Sequence, residues 1–213
     1  MTIPMNKRIA VLVSGGGTNL QALIDAKAAG KLPHGDIALV LSSSPEAYAL
    51  TRAANAGIPS VVVDRKAYGS REEYTHAVTE ALKGENIDLC ILAGFMYILD
   101  TEFIEAFRNA VINVQPALIP SFCGDGFYGL RVHKAALDYG VKVTGATVHF
   151  VNEVTDGGPI ILQKAVAVEE GDTPELLQRR VMEQAEWEIL PLAAELFCAG
   201  RLSVKDGRVS ISE

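Results

Sequence analysis

The amino-acid sequence predicts an α/β fold: a Rossmann-like, open, mostly parallel twisted sheet with helices on both faces. Two observations lead to this class. Short aliphatic and β-branched runs alternate with segments of helical periodicity through the first half of the chain, which is typical of βαβ units. A glycine run follows the first apolar run directly, at the point where a strand of such a sheet joins its helix.

The elements of the first half follow from local patterns. Strands are predicted where apolar runs are short, and helices where apolar residues recur at three- and four-residue spacing. Ser70 with Glu73 three residues later predicts a capping box for the helix that runs to Lys83. The other predicted elements are strand 9–13, helix 19–29, strand 37–41, helix 46–56, strand 61–63, strand 88–92, helix 101–107 and strand 110–114.

The second half has a more mixed pattern. A helix is predicted at 130–139, and two longer strands at 143–151 and 160–168. Thr173-Pro174 suits the cap and first residue of a long C-terminal helix, 173–199, and Asp206-Gly207 suits the turn of a terminal hairpin within 201–211. We predict a single domain over residues 1–213, whose halves, about 8–114 and about 115–213, share one sheet.

Composition and charge restrict the class of function. The 213 residues, 49% of them hydrophobic and 21% charged, are typical of a globular domain. The net charge of −7 argues against nucleic-acid binding, but backbone amides still allow an anionic substrate. No apolar run approaches the ~18 residues of a membrane span, and the N-terminus lacks a signal-peptide core, so we expect a cytoplasmic protein. The three cysteines lack metal-ligand spacing, and no metal is expected.

The run Gly15-Gly16-Gly17-Thr18-Asn19 joins the first strand to the first helix. Glycines let a ligand approach the backbone, and the free amides of a helix N-terminus attract an anion. The alternative is a tight turn with Thr18 or Asn19 as N-cap, and the residues alone leave both open. The G-x-G-x-x-G fingerprint of nicotinamide-cofactor binding is excluded, because Leu20 stands at the position of the third glycine. The end of the second strand has Ser42-Ser43-Ser44 and lacks the acidic residue that would hold a ribose. A monophosphate pocket fits better.

Two segments resemble motifs of the folate-dependent formyltransferases. Residues 113–120, Asn-Val-Gln-Pro-Ala-Leu-Ile-Pro, resemble their Asn-x-His-Pro-x-Leu-x-Pro signature, and residues 156–159 resemble their Asp-Gly-Gly-Pro. Matching segments in the same order include 14–22, 92–99, 147–151, 156–163 and 171–174. The chain is thereby identified as similar to the phosphoribosylglycinamide formyltransferases, or glycinamide ribonucleotide transformylases. The resemblance implies the formyltransferase fold and transfer of a formyl group from 10-formyltetrahydrofolate to the amine of glycinamide ribonucleotide in purine biosynthesis.

The resemblance assigns the chemistry to four residues. Asn113 matches an oxyanion-stabilising asparagine, Asp156 a catalytic aspartate that acts through water, and His149 a histidine beside the site. Local sequence alone favours a turn residue for Asp156 and a structural histidine, or a spare proton carrier, for His149. Gln115 replaces the catalytic histidine of the family. Its amide holds no charge and exchanges no proton near pH 7, so we expect impaired turnover.

The resemblance also assigns the binding residues. The run Gly15–Asn19 matches a phosphate-binding loop in the first half, and Glu186 matches a glutamate that holds the acceptor ribose, although the segment before it is one residue longer than in some relatives. The loop 121–129 suits a lid. The folate is expected to contact Asn113, Arg71, Phe95, Met96, Tyr97 (an arginine in many relatives), Ile98 and Leu99. Core packing is the alternative for the apolar residues among these, and a solvated helix face is the alternative for Arg71.

The sequence is compatible with several alternative functions. The chain is an engineered inactive variant, a slow natural homologue, or a non-catalytic folate- or nucleotide-binding module, and the first two are favoured because the other site residues are intact. A formyltransferase acting on another amine, such as a sugar nucleotide, is also open. The extra domains of the methionyl-tRNA formyltransferases and formyltetrahydrofolate hydrolases are not expected, and the chain is either a monomer or a homodimer.

Overall fold

The computed structural model describes residues 6–212, in which nine strands and seven α-helices are found. The strands are β1 (Lys7–Val13), β2 (Gly35–Ser42), β3 (Ser60–Val62), β4 (Leu89–Leu92), β5 (Val111–Gln115), β6 (Val143–Phe150), β7 (Ile160–Ala167), β8 (Leu202–Lys205) and β9 (Arg208–Ile211). The helices are α1 (Thr18–Ala28), α2 (Tyr48–Asn55), α3 (Arg71–Lys83), α4 (Thr101–Ala106), α5 (Leu130–Tyr139), α6 (Pro174–Val181) and α7 (Trp187–Cys198).

Seven strands form one sheet in the order β3-β2-β1-β4-β5-β6-β7. The first five are parallel, and β6 and β7 are antiparallel to their neighbours. The hairpin β8–β9 is a separate two-stranded sheet. The strand order reverses direction between β1 and β4, and ligands of open α/β sheets bind at such a switch point.

Side-chain alternation along the strands builds a core on each face of the sheet. In β1, Ile9, Val11 and Val13 point to one face, where α1, α2, α6 and α7 cover them. Ala10 and Leu12 point to the other face, which α3 and α4 cover. From Ile9 to Val13 this central parallel strand is therefore apolar at every position, because both of its faces are buried there.

The predicted fold class is confirmed, and the ends of the predicted elements shift by one or two residues. The capping box at Ser70 is present, with Glu73 N–H donating to the serine hydroxyl. The alternative in which Thr18 or Asn19 caps α1 is wrong: Gly17, at φ 71°, is the N-cap, because the turn needs a left-handed residue. A 3-10 turn, Arg65–Ala67, was not predicted.

The long C-terminal helix contains an irregularity that its sequence pattern does not show. Between α6 and α7, Met182–Glu186 form a π turn. A π turn accommodates one extra residue within a continuous helix, and such turns are frequent at functional sites. Glu186 lies at the end of this turn. No helix within residues 6–212 has the length and apolarity of a bilayer-spanning segment.

Candidate active site

A pocket of about 410 Å³ opens at the carboxyl edge of the sheet, beside the switch point. Most of its lining comes from four parts of the chain: residues 92–99 from the end of β4 onward, 113–116 at the end of β5, the loop 124–129, and residues 149–156 from the end of β6 onward. Phe103 and Ile104 of α4 complete it. All four predicted catalytic residues, Asn113, Gln115, His149 and Asp156, line it. Two separate motifs therefore meet at one cavity.

Strand register brings the first three of these residues together. In the antiparallel pair β5–β6, Asn113 lies opposite His149 and Gln115 lies opposite Thr147. Directly opposite residues project to the same side of a sheet, as do residues two apart along a strand. Asn113 Nδ2 lies 3.2 Å from His149 Nε2 as a result.

His149 has one ring nitrogen committed to the backbone and one directed into the site. Its Nδ1 lies 2.8 Å from the carbonyl oxygen of Phe150, which can only accept, so Nδ1 bears the proton. Nε2 therefore accepts from the Asn113 amide when the ring is neutral. The side chain is only 2% exposed, and Nε2 also lies 3.6 Å from Asp156 Oδ1. His149 is thus part of the polar cluster at the site as well as a buried strand residue.

Asp156 projects a nearly buried carboxylate from the turn after β6. Its backbone is left-handed, with φ 53°, and its Oδ2 accepts a 2.7 Å hydrogen bond from Gly124 N–H. Burial raises the pKa of Asp156, but the His149 ring 3.6 Å away and the hydrogen bond from Gly124 N–H outweigh burial, so the pKa lies below its ordinary value. The carboxylate is ionised near neutral pH and suits a proton acceptor.

Gln115 is buried and directs its amide to the loop 121–129. Its Nε2 donates a 3.1 Å hydrogen bond to the carbonyl oxygen of Phe127. Gly124 is bound to Asp156, so the loop 121–129 is attached to two of the predicted catalytic residues. Burial and the Asp156 charge raise the pKa of the Cys123 thiol in the same loop, which makes nucleophilic catalysis by Cys123 unfavourable.

The predicted folate wall consists largely of exposed apolar side chains. Met96 and Ile98 are 50% and 52% exposed, and Tyr97 is also exposed, whereas Leu99 is 7% exposed. Core packing therefore accounts for Leu99 but not for Met96 or Ile98. Exposed apolar side chains that line a concave pocket are typical of a small-molecule site.

Arg71 lies beside this wall without lining the pocket. Its Nη2 donates a 3.1 Å hydrogen bond to the Leu99 carbonyl oxygen, and its side chain is otherwise exposed. A contact between Arg71 and a ligand tail stays a prediction.

The glycine loop lies at the same sheet edge, after β1. Ser14 Oγ accepts hydrogen bonds from Met96 N–H (2.9 Å) and from Ser43 Oγ–H (2.7 Å), which join the start of this loop to the folate wall. Sequence reasoning missed Ser14 and Ser43 as connecting residues, because serines at strand ends are ordinary turn formers.

Asn19 and Glu186 form a buried pair behind the glycine loop. Asn19 Nδ2 donates a 2.7 Å hydrogen bond to Glu186 Oε2, while Asn19 Oδ1 has no partner among the described residues. Burial raises the pKa of Glu186 to about 7, although the hydrogen bond from Asn19 opposes this effect. A buried polar pair with an unsatisfied acceptor is typical of a ligand site. Thr18 is directed elsewhere, with its hydroxyl 3.8 Å from Met182 sulfur.

One cluster of metal-ligand types lies outside the pocket, on the exposed face of α3 and α4. His76, Glu80 and Glu102 have ligand atoms within 4.8 Å of one another. Glu102 already pairs with His76, and Lys83 with Glu80, so surface ion pairing accounts for the cluster.

Comparison with known protein families shows to which family this chain belongs. Residues 7–194 match the family described as formyl transferase. The chain belongs to the formyl transferase family. The structure of glycinamide ribonucleotide transformylase 1 from Symbiobacterium toebii is similar, with a TM-score of 0.92 and 43% identity over 99% of this chain and 96% of that one.

Two curated members of the formyl transferase family show the range of relatives. Phosphoribosylglycinamide formyltransferase of Haemophilus influenzae is 42% identical over 200 residues, which are 94% of this chain and 91% of that protein. Trifunctional purine biosynthetic protein adenosine-3 of Gallus gallus is 44% identical over 205 residues. The matched region is 95% of this chain but only 20% of that longer protein.

Proposed function

We propose that this formyl transferase moves a formyl group from 10-formyltetrahydrofolate to the primary amine of glycinamide ribonucleotide, a step of purine biosynthesis. The convergence of Asn113, His149 and Asp156 at the edge of an apolar pocket is the observation that supports this most directly. The names of the relatives, phosphoribosylglycinamide formyltransferase and glycinamide ribonucleotide transformylase, support the choice of acceptor.

The reaction requires stabilisation of an oxyanion and removal of a proton from the attacking amine. The Asn113 amide donates to the oxygen that becomes negative when the amine attacks the formyl carbon. Asp156, ionised at neutral pH, accepts the amine proton through water. His149 Nε2, between these two groups, relays a proton when it is neutral and donates to Asp156 when it is protonated.

Each substrate has its own region in this proposal. The reduced folate occupies the pocket between Phe95–Leu99 and the loop 124–129, where apolar side chains suit a pterin. The acceptor phosphate binds the N–H groups of Gly15–Asn19, and Glu186 holds the ribose. We propose no partners other than these two substrates. We also propose that the protein is cytoplasmic.

We propose that turnover is slow because Gln115 replaces the catalytic histidine of the family. The glutamine cannot supply a positive charge or a mobile proton, and its amide already donates to Phe127. We expect the unmodified chain to bind both substrates and Gln115→His to raise kcat far more than it changes KM, because a transition-state group serves kcat. A limb in the histidine range should appear in the pH profile.

Calorimetric titration of both substrates together with a turnover assay tests the proposal. Binding with turnover that Gln115→His restores identifies a disabled enzyme, whereas binding without rescue identifies a binding module. Turnover by the unmodified chain of order 1–10³ s⁻¹, typical for enzymes, would contradict the role given to position 115. Formylation of an amino sugar nucleotide in preference to glycinamide ribonucleotide would contradict the acceptor.

A further inference from the structure

Every carbonyl oxygen of the three glycines in the loop after β1 accepts a hydrogen bond. Gly15 O accepts from Ala49 N–H at the start of α2 (3.1 Å), and Gly17 O accepts from Gln21 N–H in α1 (2.9 Å). Gly16 O accepts from the guanidinium Nε of Arg52 at 2.8 Å. Two of the three carbonyls are thus held by main-chain donors, and the middle one is held by a side chain.

These bonds orient the N–H groups of the loop. In a planar trans peptide the C=O and the following N–H point in opposite directions. Holding the three carbonyls toward α1 and α2 therefore turns the N–H groups of Gly16, Gly17 and Thr18 away from those helices. No acceptor for the N–H groups of Gly15–Asn19 is found in the part of the chain that the structure describes. Together they form a concave set of donors suited to an anion.

Arg52 is itself firmly placed. Its Nη1 donates to Gln21 Oε1 at 3.0 Å, and its guanidinium lies 5.1 Å from the centre of the Tyr48 ring. No ion pair among residues 6–212 includes Arg52, so its positive charge is not neutralised by a neighbouring carboxylate. The Gly16–Gly17 peptide that it holds has glycine on both sides and would otherwise rotate with little steric restriction.

We propose that Arg52 is a positioning residue for the phosphate of the acceptor. By binding Gly16 O it fixes the direction of Gly17 N–H, and its unpaired charge adds to the positive potential at the loop. This inference rests on the proposed function, in which the loop binds a phosphate. Arg52 acts through the backbone and need not contact the substrate.

The test compares variants of Arg52 by calorimetric titration with inorganic phosphate, with glycinamide ribonucleotide and with a reduced folate. Arg52→Gln should weaken phosphate and acceptor binding about tenfold, the usual scale for one hydrogen bond to a charged group, and leave folate binding unchanged. Arg52→Lys, which keeps the charge and one donor, should be intermediate. In a Gln115→His background, Arg52→Gln should raise KM for the acceptor and change kcat little.

Arg201→Gln is the matched control. Arg201 also donates from Nε to a backbone carbonyl, that of Ser212, at 2.7 Å, but it lies at the terminal hairpin. Its replacement removes the same charge and the same kind of bond and should leave phosphate affinity unchanged. If Arg52→Gln does not fold, Arg52→Lys still decides the question.

The outcomes separate this inference from the proposed function. Equal phosphate affinity in the Arg52 variants and the unmodified protein, absence of phosphate binding altogether, or equal loss of phosphate and folate affinity overturns the role of Arg52. Phosphate binding that depends on Arg52 in a protein that does not bind glycinamide ribonucleotide supports the role of Arg52 and contradicts the proposed acceptor.

Discussion

At the scale of single residues, we propose that Asp156 combines a structural and a chemical role. Its carboxylate accepts a hydrogen bond from Gly124 N–H in the loop 121–129 and faces His149 Nε2. Asp156→Asn keeps an oxygen for Gly124 but removes the charge. We expect turnover in a Gln115→His background to fall ~10²-fold or more, the usual contribution of a general base, with only a small decrease in melting temperature at pH 7. Steady-state kinetics and thermal unfolding measure the two effects.

Asp125→Asn is the control for this substitution. Asp125 lines the same pocket but is exposed, and no side-chain hydrogen bond of Asp125 is found within residues 6–212. Its replacement removes an equal charge from the same loop and should change turnover little. Similar losses in both variants would show that Asp156 acts only through the net charge of the pocket, and unchanged turnover in Asp156→Asn would show that it is a turn residue.

The pKa of Asp156 also predicts a dependence of stability on pH. Because the folded-state pKa is lowered, its carboxylate stabilises the protein above the ordinary pKa of 3.8 and loses that effect as pH falls through the folded value. Asp156→Asn should therefore be less stable than the unmodified chain near neutral pH, modestly, and approach it in acid. Urea unfolding from pH 7 down to pH 3 tests this, and a difference that grows in acid would contradict it.

At the scale of elements, the turn between β6 and β7 positions Asp156 only because Gly158 has no side chain. A Cβ at Gly158 would lie 1.8 Å from the carbonyl oxygen of Phe150. We expect Gly158→Ala to lower the free energy of unfolding by about 3 kcal/mol, at the upper end of overpacking costs, because backbone and not a flexible side chain must move. Urea unfolding measures the loss.

Gly84→Ala provides the comparison for Gly158. Gly84 follows α3 at φ −69°, and a Cβ there meets no atom within 4 Å. Alanine at such a site leaves stability unchanged or raises it by about 0.4–1 kcal/mol, because the unfolded chain loses freedom. A Gly158→Ala protein as stable as the Gly84→Ala protein would show that the turn relaxes easily and does not position Asp156 rigidly.

At the scale of the whole molecule, the buried Glu186 carboxyl lowers the stability of the folded protein. It is 5% exposed, and burial raises its pKa to about 7 from an ordinary 4.5. The folded protein thus binds more protons than the unfolded chain between these values, and its stability falls as pH rises from about 4.5 to about 7. A shift of this size corresponds to roughly 3 kcal/mol above pH 7.

Glu186→Gln should remove this cost. We expect the variant to be more stable than the unmodified protein at pH 8, by a margin that shrinks as pH falls toward 4, and to bind the acceptor more weakly. Denaturation at several pH values measures the margin. Glu183→Gln, an exposed position of the same π turn, should show no such margin. A pH-independent difference for Glu186→Gln would indicate that its carboxyl has an ordinary pKa in the folded state.

The sequence by itself determined the sheet, its flanking helices and the motifs at the strand ends. These follow from short-range signals: apolar runs such as Ile9–Val13, the Ser70–Glu73 capping box, and the Pro174 helix start. Local periodicity and capping act over a few residues, so they are visible in the sequence. The motifs at 113–120 and 156–159 likewise named the family before any contact was known.

Only the tertiary structure decided which residues act together. The register of β5 with β6 places Asn113 against His149, the fold leaves Met96 and Ile98 exposed in a pocket, and α2 brings Arg52 to Gly16. Such contacts join residues tens of positions apart, and no local pattern specifies a partner strand or helix. The π turn before Trp187 was missed for the same reason: packing around the chain overrides the local preference of the residues that form it.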